Sequence, residues 1–215
     1  MQKYNYRIVG ILLFACLVFV SCSKDTPEAD PYENWEARNS VFLDSVANVC
    51  AANLSDKEWE VGKWKKVLSC KLVDDKVTPR SQTDYVYMKM LAYDEENEVA
   101  EGTEAINATD TVSVHYRGWL MNKAVFDQSY TGDWDSRYSV PTSFGVGQVI
   151  VGWTTALEYM KTGRRAEIYI PYSLGYEESG SGSSIPGYST LVFDVRVEKL
   201  IHPTGPDDRS RKLKK

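Results

Sequence analysis

The feature that most limits how this chain can fold is a change of hydrophobic period after Asp84. Tyr85, Tyr87, Lys89 and Leu91 alternate with Val86, Met88 and Met90. The same two-residue step places Val112, Val114 and Tyr116 on one face of 111–120. It places Ala166, Ile168 and Ile170 on one face of 164–170, and Leu191, Phe193, Val195 and Val197 on one face of 191–199. Side chains of a strand alternate between its two faces, so this pattern predicts antiparallel strands with one buried face. Between them, Trp153, Ala156, Leu157 and Met160 follow i, i+3, i+4, i+7, with Gly163 placed as a left-handed stop. One helix among several such strands predicts an α+β fold, an antiparallel sheet wrapped around one short helix.

The region ahead of these strands reads differently. Residues 35–53 contain no Gly or Pro, and Phe42, Val46, Val49 and Ala52 or Asn53 recur at helical steps. Ser55-Asp56-Lys57-Glu58 has the spacing of a capping box, which predicts a short helical turn ending near Gly62. Residues 64–73 mix aromatic, branched and charged side chains and suit a strand, and 74–84, with Pro79, suits a loop. A helical extension over 35–83 is too small to bury a large core alone. It is expected to pack on the domain that follows, or on its own copy in a homodimer.

At the amino terminus Lys3 and Arg7 precede about 13 apolar residues ending at Val20, short of the ~20 that span a bilayer. This is the form of an export signal over residues 1–21. Phe19-Val20-Ser21-Cys22 resembles a bacterial lipobox, which implies lipidation of Cys22; the alternative is an ordinary cleaved signal with an incidental cysteine. Residues 22–34, with Pro27, Pro31 and scattered acids, read as a tether. The expected location is the bacterial cell envelope, anchored by lipid at the outer membrane, with the periplasmic and surface sides both open. Arg209 to Lys215 hold five positive charges and give 203–215 the character of a basic tail.

Charge and cysteine usage exclude some functions. The net charge is −5, and it becomes −7 without residues 1–21, which carry Lys3 and Arg7 and no acid. This argues against nucleic acid as the partner. With two histidines, His115 and His202, and no CxxC pair, the chain offers no zinc-ligand spacing, and no metal is expected. Beyond Cys16 in the signal and Cys22, only Cys50 and Cys70 remain. An envelope location permits a disulfide between them, with two unpaired, partly buried thiols as the alternative.

Four strings in the strand-rich region carry a family resemblance. They are Val114-His115-Tyr116-Arg117-Gly118, Phe126-Asp127-Gln128-Ser129, Gln148-Val149-Ile150-Val151-Gly152-Trp153, and 185–193 (IPGYSTLVF). In this order, and with Gly163 and Tyr176 in place, residues 84–202 resemble the FKBP-type peptidyl-prolyl cis–trans isomerases. The resemblance implies a domain that binds proline-containing chains and rotates X-Pro bonds, with no nucleophile, metal or cofactor. It implies a pocket with Trp153 as floor, and with Tyr116, Phe126 and Phe193 as walls. Val149 and Ile150 would form its rim and Ile185 would complete the substrate face. Asp127 would be the polar member, and the N–H of Ile150 and the hydroxyl of Tyr176 would donate to substrate carbonyls. The catalytic set is thus Asp127, Tyr176, Trp153 and Phe126.

The chain departs from the family pattern at several points. Thr142 stands where an aromatic is expected, which implies a more open pocket or one lined by Trp134 or Tyr138. Glu177 replaces a common Gly after the tyrosine and implies a different loop path. Gly187 replaces a second Pro and implies a looser turn. Asn122-Lys123-Ala124 replaces an Asp-Gly hairpin turn, away from the site. These departures motivate one alternative, a client-binding module without useful turnover; the helical extension motivates another, a surface lipoprotein whose amino-terminal helix mediates dimerisation or a contact, with the domain as scaffold.

Overall fold

The alternating segments become one seven-stranded antiparallel sheet. Its strands are β1 (Trp64–Leu68), β2 (Tyr85–Leu91), β3 (Thr111–Leu120), β4 (Val125–Gln128), β5 (Thr142–Gly145), β6 (Arg165–Ile170) and β7 (Leu191–Ile201). They lie in the order β1-β2-β6-β7-β3-β4, with β5 paired to the first half of β3. The computed structural model describes residues 30–93, 100–135 and 138–203, and from Pro31 the chain forms one compact unit. The expected leader (1–21), Cys22, the tether as far as residue 29 and the basic tail from 204 lie outside the described residues.

Among the described residues, two α-helices take opposite faces of the sheet. The inner face holds α2 (Val151–Tyr159): Trp153, Ala156 and Leu157, with Met160 at its end, share a core with Val86, Met88, Ile168 and Val195. Each of the Val, Leu, Ile and Met side chains among them contributes roughly 1.5–3 kcal/mol when fully buried. The outer face holds α1 (Trp35–Ala52), whose Leu43, Val46 and Cys50 pack on Trp64 and Tyr87. Trp64 and Tyr169 stack there at 5.4 Å. The fold is thus the expected α+β type, and the helix expected over 35–53 is present as α1. Over β2 and β6 both faces are covered rather than one, and Tyr87 is fully buried on the outer side. The expected boundary at residue 84 falls between two strands of this sheet, because β1 pairs with β2.

Several sequence expectations are corrected locally. The buried stripe of α1 is Trp35, Asn39, Leu43, Val46 and Cys50, whereas Val49 is 47% exposed. A polar residue sits in the stripe because Asn39 serves a backbone group on the neighbouring loop. Ser55–Glu58 forms no helical turn. Ser55 Oγ accepts from the Lys57 N–H and donates to Glu60, while Glu58 pairs with Lys161 and Arg164 instead of closing a cap. The helix α2 ends at Tyr159 with Met160 as its cap, before Gly163. That glycine (φ 77°) turns the chain into β6, and its N–H bonds to the Val197 carbonyl.

Cys50 and Cys70 are both free. Cys50 is buried on the outer face, where burial pushes its thiol up to about 11. Cys70 is exposed, and its N–H bonds to Thr155 Oγ1 of α2, on the inner face. The expected disulfide is therefore absent: Cys50 packs with α1 on the outer face, whereas Cys70 is held at α2 on the inner one.

Candidate functional site

The floor of the site is placed by the start of α2. A 3₁₀ turn at Val146–Gln148 leads into the helix, and Thr154 Oγ1 donates to the Val146 carbonyl at 2.7 Å, which ties the turn to the first helical residues. Gly152 lets the helix sit on β6, since a Cβ there would lie 2.2 Å from Ile170 Cγ2. With that close approach, Trp153 is buried (4% exposed) and its ring meets the walls.

The walls are aromatic and meet edge to face. Trp153 lies 5.3 Å from Tyr116, 5.2 Å from Phe193 and 5.6 Å from Phe144, at interplanar angles of 70–89°. Phe126 and Phe193 meet at 5.3 Å across β3. This crossing requires Gly118, because a Cβ would lie 2.6 Å from Phe193 and 2.8 Å from Phe126. Edge-to-face geometry sets positive ring edges against negative faces and contributes about 0.5–1.5 kcal/mol per pair beyond burial. The rings enclose a cavity of about 520 Å³, within the range of small-ligand sites.

Polar groups are few and stand at the rim. Tyr116 Oη donates to Asp127 Oδ2 at 2.7 Å, and Asp127 Oδ1 accepts from the Gln128 N–H. Burial, and then the Asp127 carboxylate, raise the Tyr116 hydroxyl well above its ordinary pKa. Tyr176 is raised for the same two reasons, burial first, so its hydroxyl keeps a proton to donate. Val149, Ile150 and Ile185 line the same cavity. The Ile150 carbonyl accepts from Trp153 and Thr154, and its N–H has no acceptor among the described residues.

The segment carrying Tyr176 and Ile185 is folded tightly on itself. Glu177 takes the left-handed conformation (φ 55°) that glycine favours, held by bonds from its N–H to the Tyr172 carbonyl and from the Tyr188 N–H to its own carbonyl. The substitution at 177 therefore leaves the turn in place at the cost of a strained residue, about 1–2 kcal/mol. Gly187 does not loosen its turn. A Cβ there would meet the Glu178 carbonyl at 1.9 Å, and one at Gly180 would meet the Ile185 carbonyl at 2.1 Å. Ser181 and Ile185 exchange backbone hydrogen bonds, and Ile185 is left 6% exposed against the cavity.

Thus the structure brings together Tyr116, Phe126, Asp127, Val149, Ile150, Trp153, Tyr176, Ile185 and Phe193, all of them expected in the site. Sequence reasoning missed Phe144, Gln148, Ser181 and Ser184, which also line it. Phe144 fills the wall expected to be vacant at Thr142. It stands two residues on from Thr142, in a strand of four residues that is too short for its alternation to signal it. Trp134 and Tyr138 do not take that role: Trp134 packs on Arg196 and His115 at the outer face, and Tyr138 is 79% exposed. Among the described residues no group of three or more His, Cys, Asp or Glu side chains is placed to hold a metal ion.

Comparison with known proteins follows this geometry. The profile of the FKBP-type peptidyl-prolyl cis-trans isomerases matches residues 102–198. An FK506-binding protein of Neisseria meningitidis serogroup B is 39% identical over 99 residues, 46% of this chain and 86% of its own length. A probable FKBP-type peptidyl-prolyl cis-trans isomerase of Haemophilus influenzae is 46% identical over 94 residues, which cover 44% of this chain and only 36% of that protein. The crystal structure of FkpA from Escherichia coli superposes with a TM-score of 0.52 at 29% identity, over 79% of this chain and 62% of that one.

Proposed function

The chain belongs to the FKBP-type peptidyl-prolyl cis-trans isomerase family, and from that premise we propose that it rotates X-Pro bonds of exported or envelope proteins and so assists their folding. The observation that carries this reading is the aromatic box on Trp153, with Asp127 and Tyr176 as its polar handles.

The chemistry follows from the amide. Resonance opposes rotation by ~18–20 kcal/mol, while the two X-Pro isomers differ by only ~0.5–1 kcal/mol, so the need is for speed. At the twisted transition state resonance is lost and charge separation falls. A dry aromatic pocket therefore favours the twisted amide over the planar, more polar one, and catalysis is differential binding. In this reading the proline ring rests on Trp153 among Tyr116, Phe126, Phe144 and Phe193. The Ile150 N–H and the Tyr176 hydroxyl hold flanking carbonyls. Asp127, fixed by Tyr116, presents its carboxylate at the rim. No step calls for a nucleophile or a cofactor.

A protease-coupled assay with a short Xaa-Pro peptide tests it. Micromolar protein should accelerate isomerisation above the uncatalysed rate, and Trp153→Ala should abolish the acceleration. A wild-type rate equal to background would overturn the reading in favour of a binding module. The departures that motivate that module weigh less once Phe144, Glu177 and Gly187 are in view.

The proposed partners are proline-containing chains, with no nucleic acid. The proposed location is the envelope, held by a lipid on Cys22. Among the described residues no helix is long and apolar enough to cross a membrane. Cys22→Ser should move the protein from the membrane fraction to the soluble one; unchanged fractionation would refute the anchor. A homodimer through α1 would have to use the face bearing Val41 and Val49, since Leu43 and Val46 pack on the chain's own sheet.

A further inference from the structure

Helix α1 does more than cover the sheet. Its first residue, Trp35, donates its indole N–H to Ser189 Oγ at 2.9 Å in a buried position. Ser189 Oγ in turn donates to the Pro186 carbonyl at 2.6 Å. Pro186 directly follows Ile185, which lines the cavity. One helical turn on, Asn39 Oδ1 accepts the buried N–H of Thr190 at 2.8 Å, while Asn39 Nδ2 donates to the Trp35 carbonyl at 2.9 Å. Two consecutive residues at the end of the Ile185 segment are therefore gripped by α1.

These contacts are polar, buried and directional. Apolar packing alone would have docked the helix without the desolvation cost of an indole N–H, a hydroxyl and an amide. The hydrogen bonds run into the segment that supplies a pocket wall and not into a strand. That segment transmits position with little give, since Gly180 and Gly187 leave no room between its two limbs.

We infer that Trp35 is a positioning residue for X-Pro isomerisation: through Ser189 it fixes the Pro186 carbonyl, and with it Ile185, and so sets which chains the pocket accepts. The inference rests on the isomerase reading. It assigns a role in the site to a helix that lies outside the matched family segment of 102–198.

The test uses the full chain, as wild type, Trp35→Phe, Ser189→Ala and the double variant. Trp35→Phe keeps a six-membered aromatic ring and removes the pyrrole part of the indole with its N–H. Two readouts are taken: kcat and KM over Xaa-Pro peptides with Xaa as Ala, Leu, Phe and Lys, and the methyl resonances of Ile185 and Val112. KM should rise roughly two- to tenfold, by amounts that differ between peptides, with kcat within about twofold, as expected for one lost hydrogen bond. The Ile185 methyls should shift while those of Val112 stay. The double variant should be no worse than Ser189→Ala, since both changes break one link. Where Trp35→Phe fails to fold, Ser189→Ala carries the same comparison. A lowered Tm with an unchanged peptide ranking and unchanged Ile185 signals would make Trp35 a packing residue and overturn the inference. A wild type without turnover would remove the isomerase reading, and the Ile185 methyls alone would then judge the link.

Discussion

On the inner face of the sheet, Trp153, Tyr116, Phe144 and Phe193 meet as rings around a cavity, and among the described residues the one charged side chain lining it is Asp127. On the outer face of the same strands, His115 and Arg196 sit as a cross-strand pair under Trp134, with Glu198 and Asp194 beside them. Both sets are largely buried, yet they differ in what burial costs. Rings lose little by leaving water, whereas each buried nitrogen must find a partner. His115 Nδ1 and Arg196 Nε have none within the protein among the described residues. The inner face is therefore the stable platform on which a pocket can be left open. The outer face is sensitive to charge, and α1 covers one part of it while Trp134 covers another.

The largest test of this contrast is Trp153→Ala. It should cost about 3–5 kcal/mol of unfolding free energy in urea as well as the activity, since it leaves a void where four rings meet. A loss below 1 kcal/mol would show that the box is not the core of the inner face. Next is Asn39→Ala on the outer side, which strands the buried Thr190 N–H and should cost about 1–3 kcal/mol by the same measurement. A neutral result would mean that Asn39 is replaceable and the docking of α1 is apolar.

Lys123→Gly probes a turn that belongs to neither face. Lys123 is left-handed (φ 68°), so glycine should raise stability by about 1 kcal/mol, seen as a higher Tm with turnover unchanged.

The finest test is pH. Burial, opposed by Glu198 and reinforced by Arg196, holds His115 below its ordinary 6.5. A histidine kept neutral by the fold contributes stability above the unfolded pKa, and that stability is lost as pH falls toward the lowered value. The urea midpoint should therefore drop below pH ~6.5, and His115→Asn should flatten the drop. His202 has the opposite sign. Hydrogen bonds to Asp110 and Glu104 raise it, so its contribution is complete in acid and fades as pH rises through the raised value. An acid limb unchanged in His115→Asn would remove the outer face as its source.

The inner face was largely legible in the sequence because alternation is a geometric necessity of strands. Val114, Tyr116, Phe193 and Val195 had to point one way for the sheet to have a core. Most of the pocket was implied by the family resemblance that its four motifs carry. The outer face was harder to read. The stripe of α1 contains Asn39, and its partner Thr190 is 151 residues away, so no local period reveals it. Phe144 was not legible as a wall because β5 is only four residues long, too short for its alternation to show which residue faces inward. Gly187 read as a loosened turn because the carbonyl that excludes a side chain there belongs to Glu178, across a loop whose path the sequence does not show. Local periods survive in one dimension; close approaches between distant backbones do not.

The bond between Trp35 and Ser189 joins residues 154 apart. At ~5–20 residues per second of synthesis, roughly 8–30 s pass between the emergence of the helix and that of its acceptor. During that interval an isolated helix of 18 residues is marginal in water. The extension is thus made first, and its bond to Ser189 spans more of the chain than the pairing of β3 with β7, so it carries the larger loop-closure cost. A nascent chain paused before residue 189 carries every ring of the box except that of Phe193, but no means of fixing its own substrate wall.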